Sequence, residues 1–502
     1  MSRDELIVVI TRQAERLAAQ DRQISVQAGQ IAQLMEANEA LSGKLARLEH
    51  LLSRNSGNSS SPPSRDGDPG KPAPPEKRRG RGGPKRARGK QSGAPGSHLG
   101  WTDTPDEQKD RFPEGRCDCG DDLGAARDLG VVDRYQQHEI PQVAVAVTQY
   151  DQHRVECACG KVHTADRPQG SRSGSVGYGP NLAAFAVYLM VVHYLPAHRV
   201  VALLESLTGA APSVGFVHGM LSRAAGLLTE TNQRIQALIT LAHAVCCDET
   251  PLRVGPQQAP VGKKKAERYL LVAATELYTH YLLGDRSLAT FAAFVMSDLA
   301  GTGSVIVHDR YQNYDSATLG TLIHQLCTAH LLRDLDDAAQ VYPDTVWPVQ
   351  IADALRGLIG AANQARDQGL PAIPAEHRDE QLRRLRNGTL VGLSDTLSHG
   401  TRPGERKARL LLEVLRDRED DVLRFAHDLK VPPTSNQAER DLRPSKIQQK
   451  ISGRLTSEKR TQDRYAILGY LSTATKHGLD KITVLRDALT GRPWIPALPA
   501  PA

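Results

Sequence analysis

The chain has 502 residues, and 63 Lys and Arg against 57 Asp and Glu give a formal net charge of +6. That length exceeds one ordinary domain, so three or four structural units are expected. Seven cysteines, two of them adjacent, do not resemble a secreted disulfide framework, and no apolar run has membrane-spanning length, so a soluble cytoplasmic protein without a membrane partner is expected.

The first segment, 1–53, carries a heptad. Ile10, Leu17, Ile24, Ile31, Asn38, Leu45 and Leu52 recur every seven residues, with Leu34, Leu41 and Leu48 at the second core position of the later half. Gln13, Gln20 and Gln27 hold that position in the earlier half, so a coiled coil should be tightest from Ile31 to Leu52. Asn38 at a core position favours a parallel dimer in register. Residues 54–100 are Ser, Pro, Gly, Lys and Arg with almost no apolar side chain, the composition of a disordered tether. This segment holds eleven Lys/Arg against three acids, a charge of +8, which leaves about −2 for the rest. Its densest part, Lys77, Arg78, Arg79 and Arg81 followed by Lys85, Arg86 and Arg88, suits phosphate neutralisation on DNA without sequence readout.

In 101–170, Cys117 and Cys119 and then Cys157 and Cys159 form two pairs, each followed by Gly. Four thiolates in two knuckles suggest a zinc-ribbon-like β module with structural Zn²⁺, although one intervening residue is fewer than the usual two. Tyr135 to Tyr150, with Ile140 and alternating Val143, Val145 and Val147, reads as a strand between them. Segment 178–232 turns helical: Asn181 to Tyr194, Ala197 to Thr208, a Gly209–Pro212 turn, then Ser213 to Leu228 with Ser213 as N-cap. Two helices around a short turn fit a helix-turn-helix.

From 240 to 345 apolar runs alternate with helical stretches. His243 to Asp248 and Ser304 to Asp309 read as buried strands, each closed by an Asp, the first turning at Pro251. Arg268 to Thr275 and Tyr278 to Gly284 read as a hairpin, Ser287 to Leu299 as a helix, Leu322 to Leu326 as a strand and Ala329 to Ala339 as a helix. Such an order implies a mixed sheet with helices on its faces. Segment 346–430 reads as helices throughout, an all-α insertion. In 431–495 one helix starts at Thr434 or Ser435 and carries Glu439, and another runs from Arg464 to His477.

Three carboxylates at one sheet rim, Asp248, Asp309 and Glu439, repel unless cations lie between them. Hard oxygen donors suit Mg²⁺ or Mn²⁺, and a metal pair there would drive in-line displacement at phosphorus. Arg440, Arg443 and Lys446 beside the Glu place cations where a phosphate backbone would run. Glu249 is set aside, because adjacent strand residues point to opposite faces.

The run Asp248-Glu249-Thr250-Pro251-Leu252-Arg253-Val254, Asp309 with Tyr311 and Tyr314, Cys327-Thr328-Ala329-His330, and Asn436-Gln437-Ala438-Glu439-Arg440 with Leu442-Arg443-Pro444 together resemble bacterial transposases of the insertion-sequence-66 family. The Ser/Pro stretch 55–64 and the heptads before it match as well. The resemblance implies a multidomain α/β protein with an RNase H-like mixed-sheet catalytic core, an all-α insertion, and coiled-coil, zinc-ribbon-like and helical DNA-binding modules in front. It implies Asp248, Asp309 and Glu439 as the metal-binding DDE triad of DNA strand cleavage and strand transfer at transposon ends. Cys327 and His330 match a Cys-x-x-His element, taken as structural or DNA-positioning. Arg310 departs from the Gly usual after the second Asp. DNA, a homodimer through the coiled coil and companion element-encoded proteins are the partners implied. A cut-only nuclease of the same fold and a catalytically inactive DNA-binding protein are the alternatives.

Overall fold

The structure is a computed structural model that describes residues 99–498 except 142, 172–173, 257–267 and 397–403, together with isolated positions between 20 and 30. The heptad of 1–53, those isolated positions apart, and the basic run from Lys77 to Arg88 lie outside the described residues.

The Cys-containing module has one hairpin, β1 (Arg154–Glu156) antiparallel to β2 (Val162–Thr164). The strand expected over Tyr135 to Tyr150 is not formed. Ile140 is 80% and Val147 93% exposed, so no second surface covers the alternating residues and nothing rewards pairing there. Four helices follow: α1 (Pro180–Val191), α2 (Ala197–Thr208), α3 (Val214–Leu227) and α4 (Thr229–Thr240). Ser213 caps α3 by accepting from the Phe216 N–H at 3.0 Å. Helix α2 ends on Gly209, whose φ of 74° is the left-handed conformation that closes a helix.

The central sheet has the order β5-β4-β3-β6-β7. Strand β3 (Ala244–Leu252) is antiparallel to β4 (Arg268–Ala274), which is antiparallel to β5 (Thr279–Gly284). On its other side β3 runs parallel to β6 (Val305–His308), and β6 parallel to β7 (Ile323–Leu326). Val245, Cys246, Cys247, Ile306 and Val307 are buried, as central strands covered on both faces require. The first strand does not stop at Asp248. It runs on to Leu252 because β4 pairs with it from Cys246 to the end. Pro251 is tolerated because β6 pairs with β3 only as far as Cys246, so beyond that point a neighbour lies on one side alone. The helix expected over Ser287 to Leu299 forms as Leu288–Phe291, a π-helical stretch Ala292–Met296, and Ser297–Leu299.

After β7 come α5 (Thr328–Val341) and four helices, α6 (Trp347–Asp367), α7 (Ala375–Asp395), α8 (Glu405–Asp417) and α9 (Glu419–His427). Trp347, Ile351, Leu355, Leu385, Leu411, Leu412 and Phe425 are buried within these helices. The chain then returns to the sheet as α10 (Asn436–Ile451), which packs across β3 and β4. Helix α11 (Glu458–Lys476) starts six residues before Arg464, where Ser457 caps it, and packs on β5 and on α3 and α4. Gly469 lets it close in, since a Cβ there would meet the Thr279 carbonyl at 3.2 Å. A last helix, α12 (Lys481–Leu489), not anticipated from the sequence, packs on α1.

Candidate active site

Register alone aligns two of the acids. Cys246 of β3 pairs with Val307 of β6, and two residues further along each parallel strand stand Asp248 and Asp309. Asp309 follows the carboxyl end of β6, and Asp248 stands beside it within β3, just past the point where the β6 pairing stops. Open α/β sheets present side chains to ligands at such strand ends. The Asp248 Oδ1 accepts from the Glu249 N–H at 2.8 Å, and the Asp309 Oδ1 from the Tyr311 N–H at 2.9 Å. Glu439 arrives on the first turn of α10, where a helix N-terminus favours an acid.

Several bonds bring Glu439 back after the helical excursion. The Thr328 N–H and hydroxyl donate to the Pro433 carbonyl at 3.0 and 2.9 Å. The Cys327 Sγ accepts from the Ser435 N–H at 3.3 Å, one residue before α10 begins. Cys327 is buried and its own N–H donates to the His308 carbonyl at 2.7 Å. This cysteine therefore ties β6, β7 and the start of α10 together. His330, on the first turn of α5, has an Nδ1 that is buried without a partner, and burial pushes its imidazole down to about 4. Two residues past Glu439, Asp441 pairs with Lys476 at 2.9 Å and accepts from the Thr279 hydroxyl at 2.9 Å, while its carbonyl accepts from the Tyr281 hydroxyl at 2.5 Å.

Asp309 and Glu439 both lie near enough to Asp248 for their charges to act on it. Burial raises the Asp248 carboxyl to about 8, and the charges of Glu249, Asp309 and Glu439 add to the rise. Asp309 is raised by burial, an effect opposed by the Tyr311 N–H, Arg286 and Arg310. Glu439 is half-buried, with Arg333 3.7 Å away. The three stand more loosely than a closed cage. Among the described residues, the group whose donor atoms all lie within 4.8 Å of one another is His308, Asp315 and His324.

Glu249 does turn to the other side of β3. It is buried, accepts from Arg286 at 2.7 Å and from the Tyr314 hydroxyl at 3.1 Å, and burial with the nearby Asp309 charge raises it to about 7. Arg286 lies between the rings of Tyr269 and Tyr311, 4.6 and 4.3 Å from their centroids. Sequence reasoning did not single out Arg286, because a lone Arg in a turn carries no motif. Arg310, the unusual residue after Asp309, is turned toward α5 and ion-paired with Asp334.

The cationic residues named beside Glu439 are exposed. Arg440, Arg443 and Lys446 stand on the outer side of α10, and Lys450, which sequence reasoning passed over, continues the same face. The four cysteines expected to share zinc stand as two separate, closely matching turns. Gly120 N–H donates to the Cys117 carbonyl and Gly160 N–H to the Cys157 carbonyl, both at 2.8 Å. Neighbouring N–H groups, led by Cys119 and Cys159, lower the Cys117 and Cys157 thiols. All four are exposed, and no three of their sulfurs gather within 4.8 Å. In the helical module, α3 presents Val217, Met220, Leu221 and Ala224 to the protein core and keeps Gly215, Gly219 and Gly226 outside.

The segment that carries this sheet, its acids and α10 matches a family model of transposases over residues 175–463. That match covers more than half of the chain, and the chain belongs to the IS66 family of transposases. Residues 10–100 match a family of unknown function (DUF6444). No curated protein matches the chain. No helix among the described residues is long and apolar enough to cross a membrane.

Proposed function

We propose that this transposase cuts DNA at transposon ends and joins them to a target through Asp248, Asp309 and Glu439. The observation that carries the reading is the alignment of Asp248 with Asp309 just past the last paired residues of β3 and β6, with Glu439 near enough for its charge to act on Asp248. A sheet of three antiparallel strands followed by two parallel ones, with a late helix supplying the third acid, supports an RNase H-like core. The donor set fits a hard divalent cation: Asp309 and Glu439 add to the rise at Asp248, and Mg²⁺ or Mn²⁺ between three carboxylates would offset their repulsion. When bound there, such ions supply activation of the attacking oxygen and stabilisation of the leaving one.

The chain's own groups then have distinct tasks. Backbone N–H groups of Glu249 and Tyr311 hold the Asp248 and Asp309 carboxylates in place. Arg440, Arg443, Lys446 and Lys450 offer the DNA backbone a cationic face beside Glu439. The sequence supports a further phosphate contact by Lys77, Arg78, Arg79, Arg81, Lys85, Arg86 and Arg88, and a dimer through the heptads. Zinc on Cys117, Cys119, Cys157 and Cys159 is supported by the matching turns and lowered thiols. Metal analysis of purified protein tests it, and less than about half an equivalent counts against it. Labelled transposon-end DNA incubated with Mg²⁺ tests the whole reading. Joined products support transposition, cut ends alone a nuclease, and neither a DNA-binding protein without catalysis.

A further inference from the structure

On the Glu249 side of the sheet, behind the acids, three donor side chains converge. His308 ends β6 and is fully buried. His324 lies on β7, next to it in the sheet, and the His308 Nε2 stands 3.0 Å from the His324 Nδ1. Asp315 closes the 3₁₀ turn Gln312–Asp315 that follows Asp309, with its Oδ1 4.0 Å from the His324 Nδ1. The His308 Nδ1 is buried and makes no hydrogen bond. Tyr314 covers it, with ring centroids 4.4 Å apart.

We propose that His308, His324 and Asp315 form a second metal site that takes a borderline transition ion such as Zn²⁺, distinct from both the acid rim and the cysteine turns. Two imidazoles and one carboxylate are the donors that Zn²⁺ prefers over Mg²⁺. Tetrahedral bonds of about 2.0–2.1 Å set ligand atoms roughly 3.3 Å apart. The observed separations of 3.0 and 4.0 Å bracket that spacing, and the third pair lies within 4.8 Å. A fourth position is left for water or a further ligand.

The outer contacts are those that orient metal ligands. Arg418 grips both oxygens of Asp315 at 2.8 and 2.9 Å, leaving each oxygen a further lone pair, and its Nε holds Asp421 at 2.9 Å. Arg424 donates to the His324 carbonyl at 2.8 Å. Arg418 and Arg424 bring positive charge to this side, and Asp315 and Asp421 balance it. A bound ion would fasten the turn after Asp309 to β7 and, through Arg418, to the start of α9. Its presence does not depend on the catalytic reading of Asp248, Asp309 and Glu439.

Cobalt titration of the full-length protein tests the site, because Co²⁺ replaces Zn²⁺ and reports its ligands by colour. Sulfur-to-metal charge transfer in the near ultraviolet reports the cysteines, whereas intense visible bands without it report a tetrahedral nitrogen and oxygen site. The expected result is that His324→Ala and Asp315→Asn each weaken the second component at least tenfold. Both should leave the sulfur component and the far-ultraviolet circular dichroism unchanged. Repeating the titration on the Cys117→Ser/Cys119→Ser/Cys157→Ser/Cys159→Ser chain should leave the second component alone. Absence of that component, or its persistence at full strength in both His324→Ala and Asp315→Asn, would overturn the proposal. If either variant loses its fold, protection of the wild-type 312–328 segment from limited proteolysis by Zn²⁺ decides. Protection supports the site, and unchanged cleavage rejects it.

Discussion

Asp248 is an acid whose surroundings favour its proton. Burial and three nearby carboxylates raise it to about 8, so below that pH the metal-free site is largely protonated there. A divalent ion must displace this proton, and its affinity should fall as pH falls from 8 to 6, by up to about tenfold per unit for one proton released. Mn²⁺ binding followed at pH 6 and pH 8 checks this, and a pH-independent affinity counts against it. The stability consequence has the opposite slope. A carboxyl raised from its ordinary 3.8 to about 8 binds its proton more tightly folded than unfolded. Its contribution is therefore full below pH 4 and is lost as pH rises toward 8. Asp248→Asn should raise the Tm of the metal-free protein at pH 8 by a few degrees, about what 1–2 kcal/mol gives in a chain of this size. The same substitution should abolish the stabilising effect of Mg²⁺. For catalysis, Asp248→Ala, Asp309→Ala and Glu439→Ala should each lower strand cleavage by roughly 10³-fold or more. That is the cost of losing several kcal/mol of charge stabilisation in the transition state, and gel-shift affinity for end DNA should change little.

At the scale of elements, the return of α10 to the sheet depends on a small set of buried polar ties. Lys476 of α11 reaches Asp441, the Thr279 hydroxyl and the carbonyls of Thr275 and Tyr278, all within 3.0 Å. Lys476→Met leaves Asp441 buried without its cation and should destabilise the fold by roughly 3–5 kcal/mol. Adding Asp441→Asn should recover part of that loss, and denaturant melts of both single variants and the double variant measure the coupling. These ties were not readable from the sequence, since Asp441 and Lys476 are 35 residues apart and neither sits in a motif. The strand cores were readable, because Val245 to Cys247 and Val305 to Val307 are continuous apolar runs. The end of β3 was not. Asp248-Glu249-Thr250-Pro251 reads as a turn, and only pairing with β4 keeps it extended. The valines before Tyr150 show the converse failure: alternation suggests a strand, but without a covering surface no ladder forms.

Across the whole molecule, a sheet and one helix carry the acids, and 130 residues of chain, most of them helical, separate Asp309 from Glu439. The spacing alone carried no information about whether Glu439 returns. The Asn-Gln-Ala-Glu-Arg run carried it through family resemblance, and Cys327, Thr328 and Ser435 explain it physically. What the sequence expressed best at this scale was charge. Binding of end DNA should weaken steeply with salt, and replacing Lys77, Arg78, Arg79 and Arg81 with Gln should lower the slope of log K against log salt by about 4 at most. Whether Glu439 completes a site with Asp248 and Asp309 is decided by strand joining with labelled transposon-end DNA and Mg²⁺, comparing the wild-type chain with Glu439→Ala. Joined product from the wild type and none from the variant, at equal DNA binding, is the predicted result. Full joining activity in Glu439→Ala would contradict it.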